Sequence, residues 1–177
     1  MSPLQTVHTA GLDGAERGAL RRLLEEAFAG GFGDEDFEHC LGGMHAIAWE
    51  AAEPIAHAAV VMRRVLHRGR ALRCGYVEAV AVRSDRRRRG HGGAVMGAVE
   101  QIIRCAYDFG ALGATDAGAA LYTSRGWRRW TGTTSVVAPG GLRRTPEEDG
   151  SIYVLPLAVE LDWNGDLACD WRDGDVW

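Results

Sequence analysis

No lysine occurs among the 177 residues, so all 20 basic side chains are arginine, a bias that GC-rich coding explains as well as any function. Cysteine is also sparse. Cys40, Cys74, Cys105 and Cys169 lie far apart without a CxxC pair, which excludes a disulfide framework and zinc-ligand spacing and makes buried free thiols the expectation. The six histidines are scattered, with no His-Glu-x-x-His, and no Gly-x-Ser-x-Gly occurs, so metalloenzyme and hydrolase readings find no support and no metal is expected. No apolar run reaches membrane-spanning length: residues 46–62 come nearest and are interrupted by Glu50, Glu53, Pro54 and His57. The N-terminus lacks a basic segment followed by an apolar run, so no secretory leader is read and a cytoplasmic location is expected.

What is present fits one soluble domain over residues 1–177, since the chain is too short for two comfortable ones. The net charge of -4 is unevenly spread. Arginines gather at Arg83, Arg86, Arg87, Arg88 and Arg89. Acids gather at Asp34 to Glu38, at Glu147 to Asp149, and from Asp162 to Asp175. One basic spot and several acidic ones suit an anionic cofactor beside a cationic substrate. The acidic balance argues against nucleic acid as a partner.

The pattern along the chain is mixed α/β. Asp13 and Glu16 form a capping box for a helix whose core face is Leu20, Leu23, Leu24, Ala27 and Phe28, stopped by Gly30-Gly31. A short helix over Glu35 to Leu41 follows. Residues 45–50, 54–63 and 71–82 read as consecutive antiparallel strands separated by turns at Ala51–Glu53 and His67–Arg70. A glycine-rich turn then opens a helix running to about Tyr107. A strand near Ala111, a helix over Ala117 to Ser124 closed by Gly126, and strands at 127–130, 135–138 and 152–157 complete the reading.

The most informative segment is Val80 to Gly93, VAVRSDRRRRGHGG, a strand leading through a basic turn into a helix. Amides at a helix start bind phosphate oxygens, and glycines allow the close approach such a nest requires. A nucleotide P-loop would need Gly-Lys-Ser/Thr, which is absent. A dinucleotide fingerprint would need a parallel βαβ unit, whereas the strands before this turn read as antiparallel.

Arg87-Arg88-Arg89-Gly90-His91-Gly92 resembles the Arg/Gln-x-x-Gly-x-Gly/Ala pyrophosphate signature of the GCN5-related N-acetyltransferases, and Ala119-Ala120-Leu121-Tyr122 with Gly126-Trp127 resembles their helix-to-strand segment. The resemblance narrows to the aminoglycoside 2'-N-acetyltransferases at Leu41 to His45, Cys74 to Glu78, Ser124 to Trp127, and Cys169 to Arg172 with Gly174 to Trp177. It implies a mixed central sheet with splayed strands flanked by helices, acetyl-CoA as donor, a polycationic aminoglycoside as acceptor, and a homodimer. Within it, Arg87, Arg88, Arg89, Gly90, His91, Gly92 and Gly93 would hold the pyrophosphate. Backbone donors on a bulged strand at Val80, Ala81 and Val82 would hold the thioester and pantetheine, with Gly113 also beside the cofactor.

The same resemblance makes Glu78 the general base, directly or through water, and Tyr122 the general acid for the thiolate. Asp36, Glu78, Ala79, Glu148, Asp175 and Trp177 would bind substrate. The tryptophan-containing acidic tail is expected to fold back, with Asp175 and the α-carboxylate of Trp177 facing amino groups of the sugar. Three positions depart from the family pattern: Gly31 stands in place of an aspartate, Gly113 of a serine, and Glu148 of an aspartate. Losing the carboxylate at Gly31 points to a substrate without the usual diamino cyclitol, such as kasugamycin. Two rival functions stay open: acetylation of another small-molecule or protein amine, and a non-catalytic acetyl-CoA-binding module.

Overall fold

The computed structural model describes residues 3–177, apart from the side chains of Asp116 and Ala117. The elements in chain order are β1 (Leu4–His8), α1 (Gly14–Ala27), α2 (Asp34–His39), β2 (Met44–Glu50), β3 (Glu53–His67), β4 (Arg70–Val82), α3 (His91–Ala106), β5 (Phe109–Gly113), α4 (Asp116–Ser124), β6 (Arg128–Arg129), β7 (Thr133–Ala138), β8 (Gly141–Arg144), β9 (Ile152–Leu155) and β10 (Asp166–Asp170). They divide into two compact units, residues 1–61 with 77–102 and residues 62–76 with 103–177, so β3 and β4 contribute to both.

In the first unit, antiparallel β1 and β2 continue into the first half of β3, with Val7↔His45 and Ile47↔His57 in register. The capping box of α1 is formed: the Glu16 N–H donates to Asp13 and the Asp13 N–H to Glu16, at 2.8 and 2.9 Å. The face of α1 carrying Ala19, Leu20, Leu23 and Leu24 is buried, each leucine contributing roughly 1.5–3 kcal/mol. Helix α2 ends at His39 rather than Leu41, because the Cys40 and Leu41 amides close tight bonds to Phe37 and Glu38 carbonyls. Gly43 is required there, since a Cβ would lie 2.3 Å from the Val60 carbonyl oxygen.

The second unit holds strands in the order β6-β9-β5-β4-β3-β10-β7-β8. The sheet is mixed: β4–β5 and β10–β7 are parallel, whereas β5–β9, β6–β9, β7–β8 and β10–β3 are antiparallel. Strand β3 runs to His67, beyond the expected Arg63. Its last residues alternate, with Arg63, Val65 and His67 buried and Met62, Arg64 and Leu66 exposed, the signature of a strand solvated on one face. Strand β10 lies in the acidic tail, where Leu167, Ala168 and Cys169 are buried between two aspartates. Cys40, Cys74 and Cys169 are buried free thiols as expected, but Cys105 is exposed near the end of α3. No helix among the described residues is long and apolar enough to cross a membrane.

Candidate active site

In the first unit the candidate site begins at Ala79 within β4. Ala79 has φ +52, a left-handed conformation inside a strand, where a non-glycine residue costs about 1–2 kcal/mol. The family resemblance implies a bulge at Val80 to Val82; the left-handed residue is Ala79, one position earlier. Glu78, Ala79, Val80 and Val82 are half-buried and Ala81 is buried. The field of Glu78 reaches Cys40, whose thiol is pushed up to about 12, first by burial and then by that carboxylate. Asp36 lies one turn earlier on the helix that Cys40 terminates. It also accepts the Gly33 N–H at 2.7 Å, so part of its charge serves as the cap of α2.

The basic turn separates into two sets of arginines. Arg83 and Arg86 brace it: Arg83 holds Asp85 at 2.7 Å, and Arg86 holds Glu50 at 2.5 Å and Asp85 at 2.6 Å. Arg87, Arg88 and Arg89 are exposed, and Arg87 Nε donates to the Val82 carbonyl at 3.3 Å. Arg88 and Gly90 have φ +60 and +85. The first helical bond of α3 runs from the Ala94 amide to the Gly90 carbonyl at 3.0 Å, leaving the amides of His91, Gly92 and Gly93 at the open N-terminal end. A 16-residue helix with two glycines in its first turn, entered from exposed arginines, fits a pyrophosphate by dipole, donor count and charge.

The second unit gathers the remaining predicted residues except Glu78, Ala79 and Asp36. Tyr122 is buried on α4, its ring against Trp127 and Tyr153 at centroid distances of 6.3 and 6.2 Å. Burial raises its phenol above the ordinary value, so the group stays protonated at neutral pH, the state a general acid needs. Gly113 ends β5, where a Cβ would stand 3.4 Å from the Tyr76 hydroxyl. Glu148 closes a short turn and accepts from Ser151 Oγ at 2.7 Å. Its carboxyl is raised first by burial and then, against the Ser151 bond, by the charges of Asp175 and Glu147, so acids from two segments share one field.

The tail folds back within this unit. Trp177 is buried, its Nε1–H donates to Thr145 Oγ1 at 3.1 Å, and its amide donates to Asp175 at 3.1 Å. Its main-chain oxygen accepts from Arg172 at 3.0 Å, so Trp177 is anchored on both sides. Other tail acids are engaged inside the fold. Asp166 accepts from Thr133 and Ser135, and Asp170 from Arg63.

Sequence reasoning passed over two features. Arg63 is buried, bonds Asp170 Oδ1 at 2.8 Å, the Asp170 carbonyl at 2.6 Å and the Val176 carbonyl at 2.8 Å, and stacks 5.0 Å from the Tyr76 ring centroid. Its place on the buried face of an alternating strand was the available signal. The second is a pair of buried histidines, His45 and His57, the latter bonded to the carbonyl of Ala79. Nothing in their spacing marked them. Among the described residues, no group of three or more His, Cys, Asp or Glu side chains is placed to hold a metal ion.

A strand carrying a left-handed residue, followed by a basic turn and an open helix start, is the arrangement that the family resemblance implies for holding acetyl-CoA. A model of the Acetyltransferase (GNAT) family matches residues 17–127, and the chain belongs to that family of acetyl-CoA-dependent acyltransferases. Within it, the chain is 55% identical over 175 residues to an aminoglycoside 2'-N-acetyltransferase of Mycolicibacterium fortuitum, covering 97% of this chain and 90% of that protein. Two solved structures share the fold. A GNAT family acetyltransferase of Brucella melitensis in complex with acetyl-CoA has a TM-score of 0.63 and 14% identity, with 98% of each chain covered. Escherichia coli ElaA has a TM-score of 0.60 and 16% identity, covering 88% of this chain and 99% of that one.

Proposed function

We propose that the chain transfers the acetyl group of acetyl-CoA to the 2'-amine of an aminoglycoside, acting as a single cytoplasmic acetyltransferase domain that assembles as a homodimer and confers resistance. The similarity to the Mycolicibacterium fortuitum protein over nearly the whole chain carries the substrate class, because acetyl transfer is common to the family and the acceptor is not. The shared field of Glu148 and Asp175 supports a cationic acceptor.

Each step has a residue. The amides of His91, Gly92 and Gly93, with Arg87, Arg88, Arg89 and Gly90, hold the pyrophosphate. Backbone N–H groups of Val80 to Val82 hold the thioester and pantetheine; removing one oxyanion donor typically costs on the order of 10²–10³ in rate. Glu78, directly or through a water, takes a proton from the ammonium group. The neutral nitrogen attacks the thioester carbonyl carbon, the C–S bond breaks, and Tyr122 protonates the departing thiolate. The second proton shed by the nitrogen passes through solvent to restore the Tyr122 phenol. Asp36, Glu78, the Ala79 backbone, Glu148, Asp175 and Trp177 bind the aminoglycoside.

Gly31 refines the specificity. It is exposed just beyond α1 and offers no carboxylate to a diamino cyclitol ring, which favours kasugamycin. The test is CoA release across kanamycin B, tobramycin, gentamicin and kasugamycin, which carry a 2'-amine, with kanamycin A, which carries a hydroxyl there, as control. Turnover within the first group and none on the control is expected, with kasugamycin preferred. Equal activity on kanamycin B and kasugamycin removes the specificity claim. Silence across the panel with acetyl-CoA still bound overturns the aminoglycoside reading and leaves another amine to be found.

A further inference from the structure

A chain of hydrogen bonds runs through the interior of the first unit and ends on the carbonyl of Ala79, the left-handed residue of β4. Thr9 Oγ1 lies 2.7 Å from His45 Nε2, His45 Nδ1 lies 2.9 Å from His57 Nε2, and His57 Nδ1 lies 2.8 Å from the Ala79 carbonyl oxygen. The two rings stand 5.2 Å apart and tilted by 39°. Both are buried, His45 on β2 and His57 on β3, side by side because Ala59 and His57 face His45 and Ile47 in register.

The direction of every proton in this chain follows from its last member. A carbonyl oxygen only accepts, so His57 Nδ1 carries hydrogen. Burial, with the neighbouring His45 adding to it, drops His57 to about 3, and burial with the field of His8 drops His45 to about 4, so both rings are neutral at physiological pH. A neutral imidazole has one N–H, which makes His57 Nε2 an acceptor and His45 Nδ1 its donor. The same logic makes His45 Nε2 an acceptor, so the Thr9 hydroxyl donates to it in preference to the more distant Gly43 carbonyl at 3.2 Å. The Gly42 amide in turn donates to Thr9 Oγ1 at 2.9 Å. All members therefore donate in one sense, toward Ala79.

The peptide that Ala79 shares with Val80 gives that bond a consequence. The carbonyl of Ala79 and the amide of Val80 belong to one planar trans peptide and point in opposite directions. Fixing the carbonyl on His57 therefore fixes the Val80 N–H away from it. Ala79 holds φ +52 at a cost that a compensating contact must offset, and the His57 bond is such a contact. We propose that His57, backed by His45 and Thr9, is a positioning residue that locks the Ala79–Val80 peptide and aims the Val80 N–H at the thioester carbonyl. This rests on the assignment of Val80 as a backbone donor to the acetyl group.

The test reads the acetyl carbonyl itself. Acetyl-CoA labelled with carbon-13 at the thioester carbonyl is bound to wild-type enzyme, His57→Leu and His57→Asn, and its infrared stretch is compared with that in water. Asparagine keeps a donor close to the position of Nδ1 and leucine removes it. The wild type is expected to lower the stretch. His57→Leu is expected to lose that lowering and about 10²-fold in kcat, while the Kd of acetyl-free CoA changes less than about 2-fold. His57→Asn is expected to keep both the lowered stretch and most of kcat. A lowered stretch in the leucine variant, or equal losses in both variants, overturns the proposal. Should the leucine variant not fold, nitrogen-15 NMR of the wild type decides: Nδ1–H tautomers at both rings are expected, and an Nε2–H tautomer at either contradicts the chain. A wild type that lowers the stretch through His57 yet acetylates no aminoglycoside overturns the substrate reading and leaves this inference standing.

Discussion

The two units of the molecule present their candidate functional groups by different means. In the first, the candidate groups lie in a nearly contiguous stretch from Glu78 to Gly93, and most of them are backbone: a left-handed residue at Ala79, a glycine turn at Gly90 and the open amides of α3. In the second, side chains arrive from segments far apart, Tyr122 on α4, Glu148 in a turn, Asp175 and Trp177 in the tail. A backbone site needs a local sequence pattern. A side-chain site needs the tertiary structure to be right first, which here falls to Arg63 and Trp177. In the function proposed above, the first holds the donor and the second sets the acceptor.

Breaking the chemistry in each unit gives the largest effects. Glu78→Gln is expected to lower kcat by roughly 10²–10⁴ with acetyl-CoA binding intact, measured by steady-state kinetics and calorimetry. Tyr122→Phe is expected to lose about 10² in kcat with little change in CoA affinity. Loss of cofactor binding in either variant would mean that the residue supports the cradle and not the proton transfer. Next comes the scaffold of the second unit. Arg63→Met removes the guanidinium bonds to Asp170 and the Val176 carbonyl and is expected to cost about 2–3 kcal/mol in chemical denaturation, below the range for a wholly buried pair because Asp170 is partly solvated and keeps the Arg64 amide.

The first unit carries the matching acid sensitivity. His45 and His57 titrate lower folded than unfolded, so the unfolded chain binds more protons between the ordinary histidine value of 6.5 and about 4. Stability is therefore full above pH 6.5 and declines as pH falls through that window, by at most about 1.4 kcal/mol per pH unit for each ring. Denaturation midpoints from pH 7 to 4 check this, and His45→Asn should flatten the decline. The smallest effect separates functional strain from incidental strain. Ala52, in the β2–β3 turn, has φ +67. Ala52→Gly is expected to add up to about 1 kcal/mol without changing kcat, whereas Ala79→Gly relieves the same strain and lowers kcat by loosening the Ala79–Val80 peptide.

The same contrast explains what could be read from the residues alone. The capping box of α1, the strand, basic turn and helix from Val80, and the α4 segment with Tyr122 are local patterns, and they were legible. The candidate cradle could be named as a stretch because its pattern is written in consecutive positions. The division of labour among the arginines was not, since Arg83 and Arg86 differ from Arg87 only in having Glu50 and Asp85 within reach. Strand β10 hid behind its flanking aspartates, which pair with Arg63, Thr133 and Ser135 across the fold. The histidine chain was invisible for a related reason: His45 and His57 meet only after β2 and β3 pair, and Thr9 joins them from beyond β1.

The most direct test of the whole account is the position of the acetyl group on the product. Kanamycin B incubated with the enzyme and acetyl-CoA, then examined by mass spectrometry and two-dimensional NMR, should carry one acetyl group, on the 2'-nitrogen, while kanamycin A returns unchanged. An acetyl group on any other nitrogen, or acetylation of kanamycin A, would contradict it.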